Sequence, residues 1–183
     1  GGDVAAFAAR AGRGGLASGA HFAGEAPGVV LLHGLFDDHR GYRDLVRRLG
    51  ARGLAAVAAD LPGHGDNPVP AAGFEELVAG VASALPPGPL VLVGHSLGAA
   101  VAARIAAGRA EVVRLVLIAP FGIGARINAG FLQGMLNATT PAALSRALGE
   151  LGGGPVSEAA LAQELQRLLA LRALELGTET LEE

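Results

Sequence analysis

Short apolar runs alternate along this chain with segments in which apolar residues recur at helical spacing. Val29 to Leu32 is an uninterrupted apolar run, which is typical of a strand buried on both faces of a parallel sheet. In residues 42–50, Leu45, Val46 and Leu49 instead fall on one face of a helix. Both patterns recur downstream, and they predict strands at 54–59, 89–93 and 112–118 and helices at 74–85 and 97–107.

The regular alternation of strands and helices predicts an α/β fold with a parallel sheet flanked by helices. Ligands of such sheets bind at the carboxyl ends of the strands, where the connecting loops lie. The loops after the predicted strands begin at His33, Asp60, Gly94 and Ala119. We therefore expect these loops to meet at one edge of the sheet.

The chain divides into three predicted segments. Residues 1–25 are rich in glycine and alanine without a firm period, which indicates a linker or a weakly structured edge. Residues 26–121 carry the alternating pattern and are predicted to form the core. Residues 122–183 contain leucine-rich helical stretches and are interpreted as a helical lid or cap.

Helix-start signals are clear within the predicted lid. Thr140 is followed by Pro141 and is a predicted N-cap, and Ser157 is a second one. The apolar face of the following helix would cover the active site, merely cover the core, or pack against a partner. That face consists of Leu161, Leu165, Leu168, Leu169 and the stretch from Leu171 to Leu176.

Composition limits the classes of partner. The chain has 183 residues, of which 51% are apolar, so it is long enough to bury one sizeable core. Its formal net charge is −3, and its acidic and basic residues are interspersed. Because there is no basic run, nothing indicates a nucleic-acid or anionic-membrane partner. A small neutral molecule is the expected substrate.

Missing residue types exclude several chemistries. The sequence has no cysteine, which excludes thiol nucleophiles, disulfides and thiolate metal sites. All 14 basic residues are arginine, so no lysine can form a Schiff base or carry a cofactor. No segment reaches the length of an uninterrupted transmembrane helix, and there is neither an initial Met nor a signal pattern. We therefore expect a trimmed cytoplasmic protein.

Gly94-His95-Ser96-Leu97-Gly98 carries the strongest chemical signal. It lies between a predicted strand and a predicted helix, which is the setting of a nucleophile elbow. At such an elbow the backbone turns so sharply that only glycine leaves room at the flanking positions. Ser96 is therefore the predicted nucleophile, and a chance match in a loop of small residues is the alternative.

An attacking serine needs hydrogen-bond donors for the oxyanion that forms on the carbonyl. The amide of Leu97 lies at the predicted start of a helix, where N–H groups lack partners. The amide of Leu35, in the loop after the first strand, is the predicted second donor. The expected supporting residues are His33 and His95, which would orient their loops by hydrogen bonding, and Gly34, Gly94 and Gly98.

The general base is hard to find. After Ser96 the sequence contains neither histidine nor aspartate, and none of its glutamates stands at the end of a predicted strand. His33, His64 and His95 are candidate bases, yet loop orientation or a place in a turn explains each of them more simply.

Metal and dinucleotide sites have weaker support. Asp37, Asp38 and Asp60 offer carboxylates, but turn or helix-capping roles account for them, and no metal or bound cofactor is expected. Gly12 and Gly14 superficially match a dinucleotide fingerprint, although no strand precedes them. The remaining histidines, His21 and His39, are expected to be solvated.

Three motifs in series resemble the α/β-hydrolase superfamily: His33-Gly34, the turn from Asp60 to Gly65, and the elbow around Ser96. The resemblance covers residues 28–121 and implies that fold. The stretch from Ile118 to Gly130, with the leucine-rich helices after it, is similar to the acyltransferase component of acetoin dehydrogenase complexes.

The resemblance also implies parts that this sequence does not supply. The superfamily orders its triad as serine, acid and histidine, with the last two beyond the strand at 112–118. The C-terminal third, with the last strands, is therefore expected to be missing, through truncation or through supply by another polypeptide. The strand at 112–118 would then be an exposed apolar edge, open to a second copy or to a complementing chain.

Three functions remain open at this point. The similarity to the acetoin component implies acetyl transfer from a lipoyl thioester to coenzyme A, both as substrates, with Ser96 as the acyl acceptor. An ordinary hydrolase of carboxylic esters or carbon–carbon bonds would use the same nucleophile. The third function is a catalytically incomplete module that binds or assembles.

Overall fold

The computed structural model describes residues 28–122, 124, 128–152 and 154–173. They belong to two compact units, and the described part of the first ends at Gly122 while the second begins at Gly124. The predicted linker at residues 1–25 lies outside the described residues. Gly12, Gly14 and His21 also lie outside the described residues.

The first unit contains a parallel sheet flanked by helices, which confirms the predicted fold class. Its elements are β1 (Gly28–Leu32), a 3-10 helix (His39–Tyr42), α1 (Arg43–Gly50), β2 (Ala56–Ala59), α2 (Phe74–Ala84), β3 (Leu90–His95), α3 (Leu97–Gly108) and β4 (Val112–Ile118). The strands lie in the order β2-β1-β3-β4, and every neighbouring pair is parallel.

Helices cover both faces of the sheet because successive residues of a strand point to opposite sides. Val29 and Leu31 of β1 pack with Val46 and Leu49 of α1 on one face. The alternate residue Leu32 lies in the other apolar cluster, with buried residues of α2 and α3. This arrangement is the one that right-handed crossovers give, since the chain passes from β1 to β2 in one direction and from β2 to β3 and β4 in the other.

The direction of strand addition reverses at β1. The chain leaves β1 for β2 on one side and later returns to place β3 on the other side. Such a reversal opens a crevice between the loops at the carboxyl ends of the two central strands. These loops begin at His33 after β1 and at Ser96 after β3. The topology therefore places the first and third predicted motifs side by side.

Two strand boundaries differ from the prediction. β2 begins at Ala56 instead of residue 54, because the Leu54 N–H donates to the Leu49 carbonyl at 3.1 Å and belongs to the turn that ends α1. β3 extends past residue 93 to His95, since its last residues pair in register with the end of β4.

β4 forms one edge of the sheet in the described part of the chain, and its apolar side chains are exposed. The exposed fraction is 54% for Val113, 38% for Leu115, 45% for Val116 and 43% for Ile118. Because alternate residues point to opposite faces, both faces of β4 lack full cover. The opposite edge strand, β2, is buried along its length. The exposed apolar edge predicted at 112–118 is confirmed.

The second unit is helical in its described residues. It contains α4 (Ala129–Asn137), α5 (Pro141–Gly149) and α6 (Glu158–Ala173). Helix α4 contacts α5, and α5 contacts α6. The buried side chains that these helices and the turn after α4 contribute are Met135, Ala138, Leu144, Ala147, Leu161, Leu165 and Leu168.

Side-chain caps begin these helices. The oxygens of Thr140 and Ser157 accept hydrogen bonds from the N–H three residues further along at 3.2 Å and 3.3 Å, which confirms both predicted N-caps. Helix α4 was not predicted as a separate element. Its signal is Asn128, whose Oδ1 accepts from the Phe131 N–H at 2.9 Å.

The predicted apolar face of α6 needs one correction. Leu169 is 42% exposed, because it follows the buried Leu168 by one residue and therefore lies about 100° around the helix from it. The side chains from Leu171 to Leu176 lie outside the described part. Across the described residues, no helix combines the length and apolar character that crossing a bilayer requires. The assignment of residues 122–183 as a lid stays a prediction.

Candidate active site

Ser96 occupies a sharp turn between β3 and α3. Its backbone angles are φ 51° and ψ −118°, a left-handed conformation that costs a non-glycine residue free energy. Among the described non-glycine residues, only Ala119, with φ 43°, also has a positive φ. The two residues are neighbours, since the Ser96 N–H donates to the carbonyl of Ile118 at 3.0 Å. Backbone strain is therefore concentrated at this turn.

Glycine is required on both sides of Ser96 because backbones meet there. A Cβ on Gly94 would overlap the backbone of Gly98 and Ala99. A Cβ on Gly98 would overlap the carbonyl oxygens of Leu32 and His33, where β1 ends. The start of α3 thus lies directly against the end of β1, as the elbow motif predicts.

The loop after β1 lies against the serine. A Cβ built on Gly34 would be 3.3 Å from the Ser96 Cβ and 3.2 Å from the His95 Nδ1. The Gly34 carbonyl accepts hydrogen bonds from the His33 Nδ1 at 2.8 Å and from the Asp37 N–H at 3.1 Å. In a trans peptide the C=O and N–H point in opposite directions, so these bonds also fix where the next N–H points. That N–H belongs to Leu35.

Leu35 and Leu97 are the predicted oxyanion donors. Leu97 is the first residue of α3, and no residue in the described ranges accepts a hydrogen bond from its N–H or from that of Leu35. Their positions next to Ser96 fit the predicted role, and the role itself stays a prediction. The half-buried Ser96 hydroxyl likewise forms no hydrogen bond with any described residue.

Two of the three candidate bases, His33 and His64, have both ring nitrogens in contact with the backbone. His33 is fully buried; its Nδ1 donates to the Gly34 carbonyl, and its Nε2 accepts from the Leu61 N–H at 3.0 Å. The predicted loop-orienting role of His33 therefore has a geometric basis. His95 forms no hydrogen bond through its ring with a described residue, and it packs against Gly34 instead. His64 is buried between two carbonyl oxygens, and burial holds its pKa below the ordinary value.

The expectation that His39 is solvated is wrong. Its Nδ1 and its backbone N–H each lie 2.7 Å from an oxygen of the buried Asp60 carboxylate, which also accepts from the Asp66 N–H at 2.8 Å. Asp60 thereby ties the turn after β2 to the 3-10 helix. Asp38 caps that helix by accepting from the Arg40 N–H at 2.7 Å.

Asp38, His39 and Asp60 also place three potential metal ligands within 4.8 Å of one another. The carboxylate oxygens already accept N–H hydrogen bonds, from Arg40 to Asp38 and from His39 and Asp66 to Asp60. These contacts fit the predicted turn and capping roles of the aspartates. The pairing of Asp60 with His39 is not recognisable from sequence, because the two residues lie in different loops.

Two further residues at the elbow were missed in the sequence. The Phe121 N–H donates to the Ser96 carbonyl at 3.2 Å, and Ala119 supplies the second strained backbone. The same Ser96 carbonyl also accepts from the N–H groups of Ala99 at 3.0 Å and Ala100 at 3.3 Å. No local sequence pattern marks Ala119 or Phe121, because the hydrogen bonds that place them join the end of β4 to the end of β3.

This geometry agrees with comparisons to known proteins. The model of the Alpha/beta hydrolase family matches residues 29–180 of the chain. The chain belongs to the alpha/beta hydrolase family. The resemblance that the three motifs indicate is thereby confirmed.

Relatives of this alpha/beta hydrolase include enzymes of different reaction types. It is 37% identical over 98 residues to the sn-1-specific diacylglycerol lipase ABHD11 of Mus musculus, covering 50% of this chain and 32% of the lipase. It is 31% identical over 153 residues to the dihydrolipoyllysine-residue acetyltransferase component of the acetoin cleaving system of Pseudomonas putida, covering 80% of this chain and 40% of that protein. The chain thus spans less than half the length of these curated relatives.

Solved structures share the fold of this alpha/beta hydrolase. MenH from S. aureus aligns with a TM-score of 0.60 and 19% identity, over 87% of this chain and 69% of the MenH chain. At that identity the likeness concerns the fold alone. About a third of the MenH chain has no counterpart here.

Proposed function

We propose that this chain carries the acyl-accepting serine of an acyltransferase or hydrolase. The observation that carries the proposal is the strained turn at Ser96, with φ 51° and the Gly34 backbone directly beside it. The Ser96 oxygen would bond to the carbonyl carbon of a thioester or ester, while the amides of Leu35 and Leu97 receive the negative charge on the carbonyl oxygen. The hydroxyl proton passes to a base, and the thiol or alcohol leaves.

The base is part of the proposal. Neither histidine nor aspartate follows Ser96 in the sequence, and the ring nitrogens of His33 and His64 are engaged with the backbone. The His95 ring packs against Gly34 and pairs with no carboxylate of the described residues. We therefore propose that a histidine and an acid from outside these residues, on the same polypeptide or on a partner, complete the site. Each oxyanion donor already supplies about 3 kcal/mol of transition-state stabilisation in such sites.

Acetyl transfer from a lipoyl thioester to coenzyme A is the specific reaction we propose. Its support is the similarity to the acetoin-system acetyltransferase, which covers 80% of this chain. The chain has no lysine, so the lipoyl group would arrive on another domain, and it and coenzyme A act as substrates. Ester hydrolysis is the second candidate, because the lipase relative is 37% identical over 98 residues and covers 50% of this chain.

The proposal is tested by trapping the acyl-serine and then comparing coenzyme A with water as the acceptor of its acetyl group. The chain is incubated with S-acetyl-dihydrolipoamide or with p-nitrophenyl acetate, and the adduct is located by peptide mass spectrometry. We expect acetyl on the Ser96 peptide, and faster loss of the acetyl group when coenzyme A is added than in buffer alone. The control is Ser145→Ala, which removes a serine of the second unit and leaves the elbow unchanged.

The outcomes separate the three functions. Discharge by water at the same rate with and without coenzyme A would select the hydrolase. Absence of any Ser96 adduct with either donor, also in a protein that includes the completing acid and histidine, would contradict acyl chemistry and favour a module that only binds or assembles.

We also propose that the β4 edge is where a second copy or a complementing chain docks. No described strand pairs with its outer N–H and C=O groups, and these groups and the exposed valines, leucine and isoleucine suit addition of another strand. Val113→Lys places a charge at this edge, so we expect it to raise the monomer fraction measured by sedimentation velocity.

A charge elsewhere provides the matched control. Val69 is 48% exposed, close to the 54% of Val113, but lies in the loop between β2 and α2. Val69→Lys should leave the sedimentation profile unchanged. Equal effects of the two substitutions would show that β4 is not the association surface.

A further inference from the structure

His64 is a buried histidine that the proposed acyl chemistry does not use. It lies in the turn between β2 and α2 with 0% of its surface exposed. Its Nδ1 is 2.9 Å from the Pro62 carbonyl oxygen, and its Nε2 is 2.8 Å from the Leu35 carbonyl oxygen. One ring therefore joins the turn after β2 to the loop after β1.

Both partners of this ring can only accept hydrogen bonds. A neutral imidazole carries one N–H, so only the doubly protonated ring can donate to both carbonyl oxygens. Burial lowers the pKa of His64, although the two carbonyls and the carboxylates of Asp60 and Asp38 favour the charged form. At neutral pH the ring therefore has one proton for two acceptors, and one of the two hydrogen bonds is absent.

The carbonyl that His64 holds belongs to the residue with the proposed oxyanion amide. The peptide before Leu35 is fixed through the Gly34 carbonyl, which accepts from His33 at 2.8 Å. The peptide after Leu35 presents its carbonyl oxygen to the His64 Nε2 at 2.8 Å, and the ring donates to that oxygen when Nε2 carries a proton. Two buried rings thus hold the two peptides that flank the Leu35 Cα, and their centroids are 5.1 Å apart.

We propose that His64 is a positioning residue for the Leu35 amide, and that proton uptake by its ring completes the connection between the two loops. The titratable groups that face the ring are His33 from the loop after β1, Asp38 from that same loop, and Asp60 from the turn after β2. His33 accepts the Leu61 N–H through Nε2, and that nitrogen also lies 3.7 Å from an Asp60 carboxylate oxygen. The two carboxylates then stabilise the imidazolium.

An NMR titration of the chain tests the connection directly. In a sample with nitrogen-15 in the histidine rings and the backbone, spectra are recorded from about pH 8 to about pH 5. We expect both His64 nitrogens to become protonated on acidification, with a midpoint below about 6.5 because the ring is buried. The Leu35 and Phe36 amide signals should shift with the same midpoint.

Two variants identify the group that moves the Leu35 signal. His64→Gln removes the titration and should remove the pH-dependent shift of the Leu35 amide. His95→Gln removes the other ring beside this loop and should leave that shift in place. A Leu35 amide that does not move while His64 titrates, or that follows another histidine, would overturn the proposal. The wild-type spectra decide this even if His64→Gln does not fold.

The effect of His64 on the reactivity of Ser96 rests on the proposed function, and it is measured in a separate experiment. If His64 positions the Leu35 amide, a fluorophosphonate probe should react with Ser96 more slowly in His64→Gln than in the wild type, by on the order of tenfold. Equal rates in the folded variant and in the wild type would overturn the positioning role. Absence of Ser96 reaction in both would contradict the proposed function, and the NMR midpoints would still decide whether the loops are joined.

Discussion

Replacing Ser96 by alanine is expected to abolish covalent modification of this chain by a fluorophosphonate probe. The Ser96 hydroxyl is half-buried and forms no hydrogen bond within the described residues, and the loop around Gly34 lies beside it. In serine hydrolases, loss of a triad residue leaves about 10³-fold to 10⁴-fold acceleration from oxyanion donors and binding. Even without its histidine, we therefore expect the amides of Leu35 and Leu97 to favour attack on the probe by Ser96 over attack by an ordinary serine.

Ser83 provides the matched serine for this experiment. It is exposed on α2, and its hydroxyl donates to the Gly80 carbonyl at 2.9 Å. Ser83→Ala should leave labelling unchanged, measured by gel fluorescence and by mass spectrometry of the peptides. Labelling of Ser96→Ala at the wild-type rate would mean that the turn at Ser96 does not activate a nucleophile.

A single methyl group at Gly98 is expected to prevent stable folding. The Cβ of alanine at this position would overlap the carbonyl oxygens of Leu32, the last residue of the buried strand β1, and of His33, which follows it. A backbone cannot rotate away as a side chain can, so α3 would have to separate from β1. We expect Gly98→Ala to lower the free energy of unfolding by about 3 kcal/mol or more, measured by urea denaturation.

Gly108, at the other end of α3, separates this overlap from helix propensity. No atom lies within 4 Å of the Cβ that alanine would add there. Gly108→Ala should therefore be neutral or raise the free energy of unfolding by up to about 1 kcal/mol, since alanine favours helices. Similar loss of stability in both variants would show that contact with the end of β1 does not dictate glycine at position 98.

The fold was predictable because its signals are local. The run from Val29 to Leu32 and the helical spacing around Leu45 depend on neighbours in sequence, and the structure contains the corresponding strand and helix. The elbow was predictable for the same reason, since Gly94 and Gly98 flank Ser96 within one short motif. In each case the residues that determine the structure lie within a few positions of one another.

The network behind the site was not predictable, because its contacts join distant segments. His64 was interpreted as a turn residue, yet its ring holds the Leu35 carbonyl of another loop. The sequence predicts a solvated His39, yet its ring is hydrogen-bonded to Asp60, which lies in the loop after β2. A single sequence reports that such side chains can form hydrogen bonds, but it does not report which loop brings the partner.

The hydrogen bonds around Ser96 connect the proposed nucleophile to the proposed association edge at β4. The Ser96 N–H donates to the last residue of β4, and the Ser96 carbonyl accepts from Phe121 just beyond that strand. A strand added alongside β4 would restrain these same peptide groups. Pairing at β4 would therefore change the backbone torsion angles of Ser96 and, with them, the position of its hydroxyl.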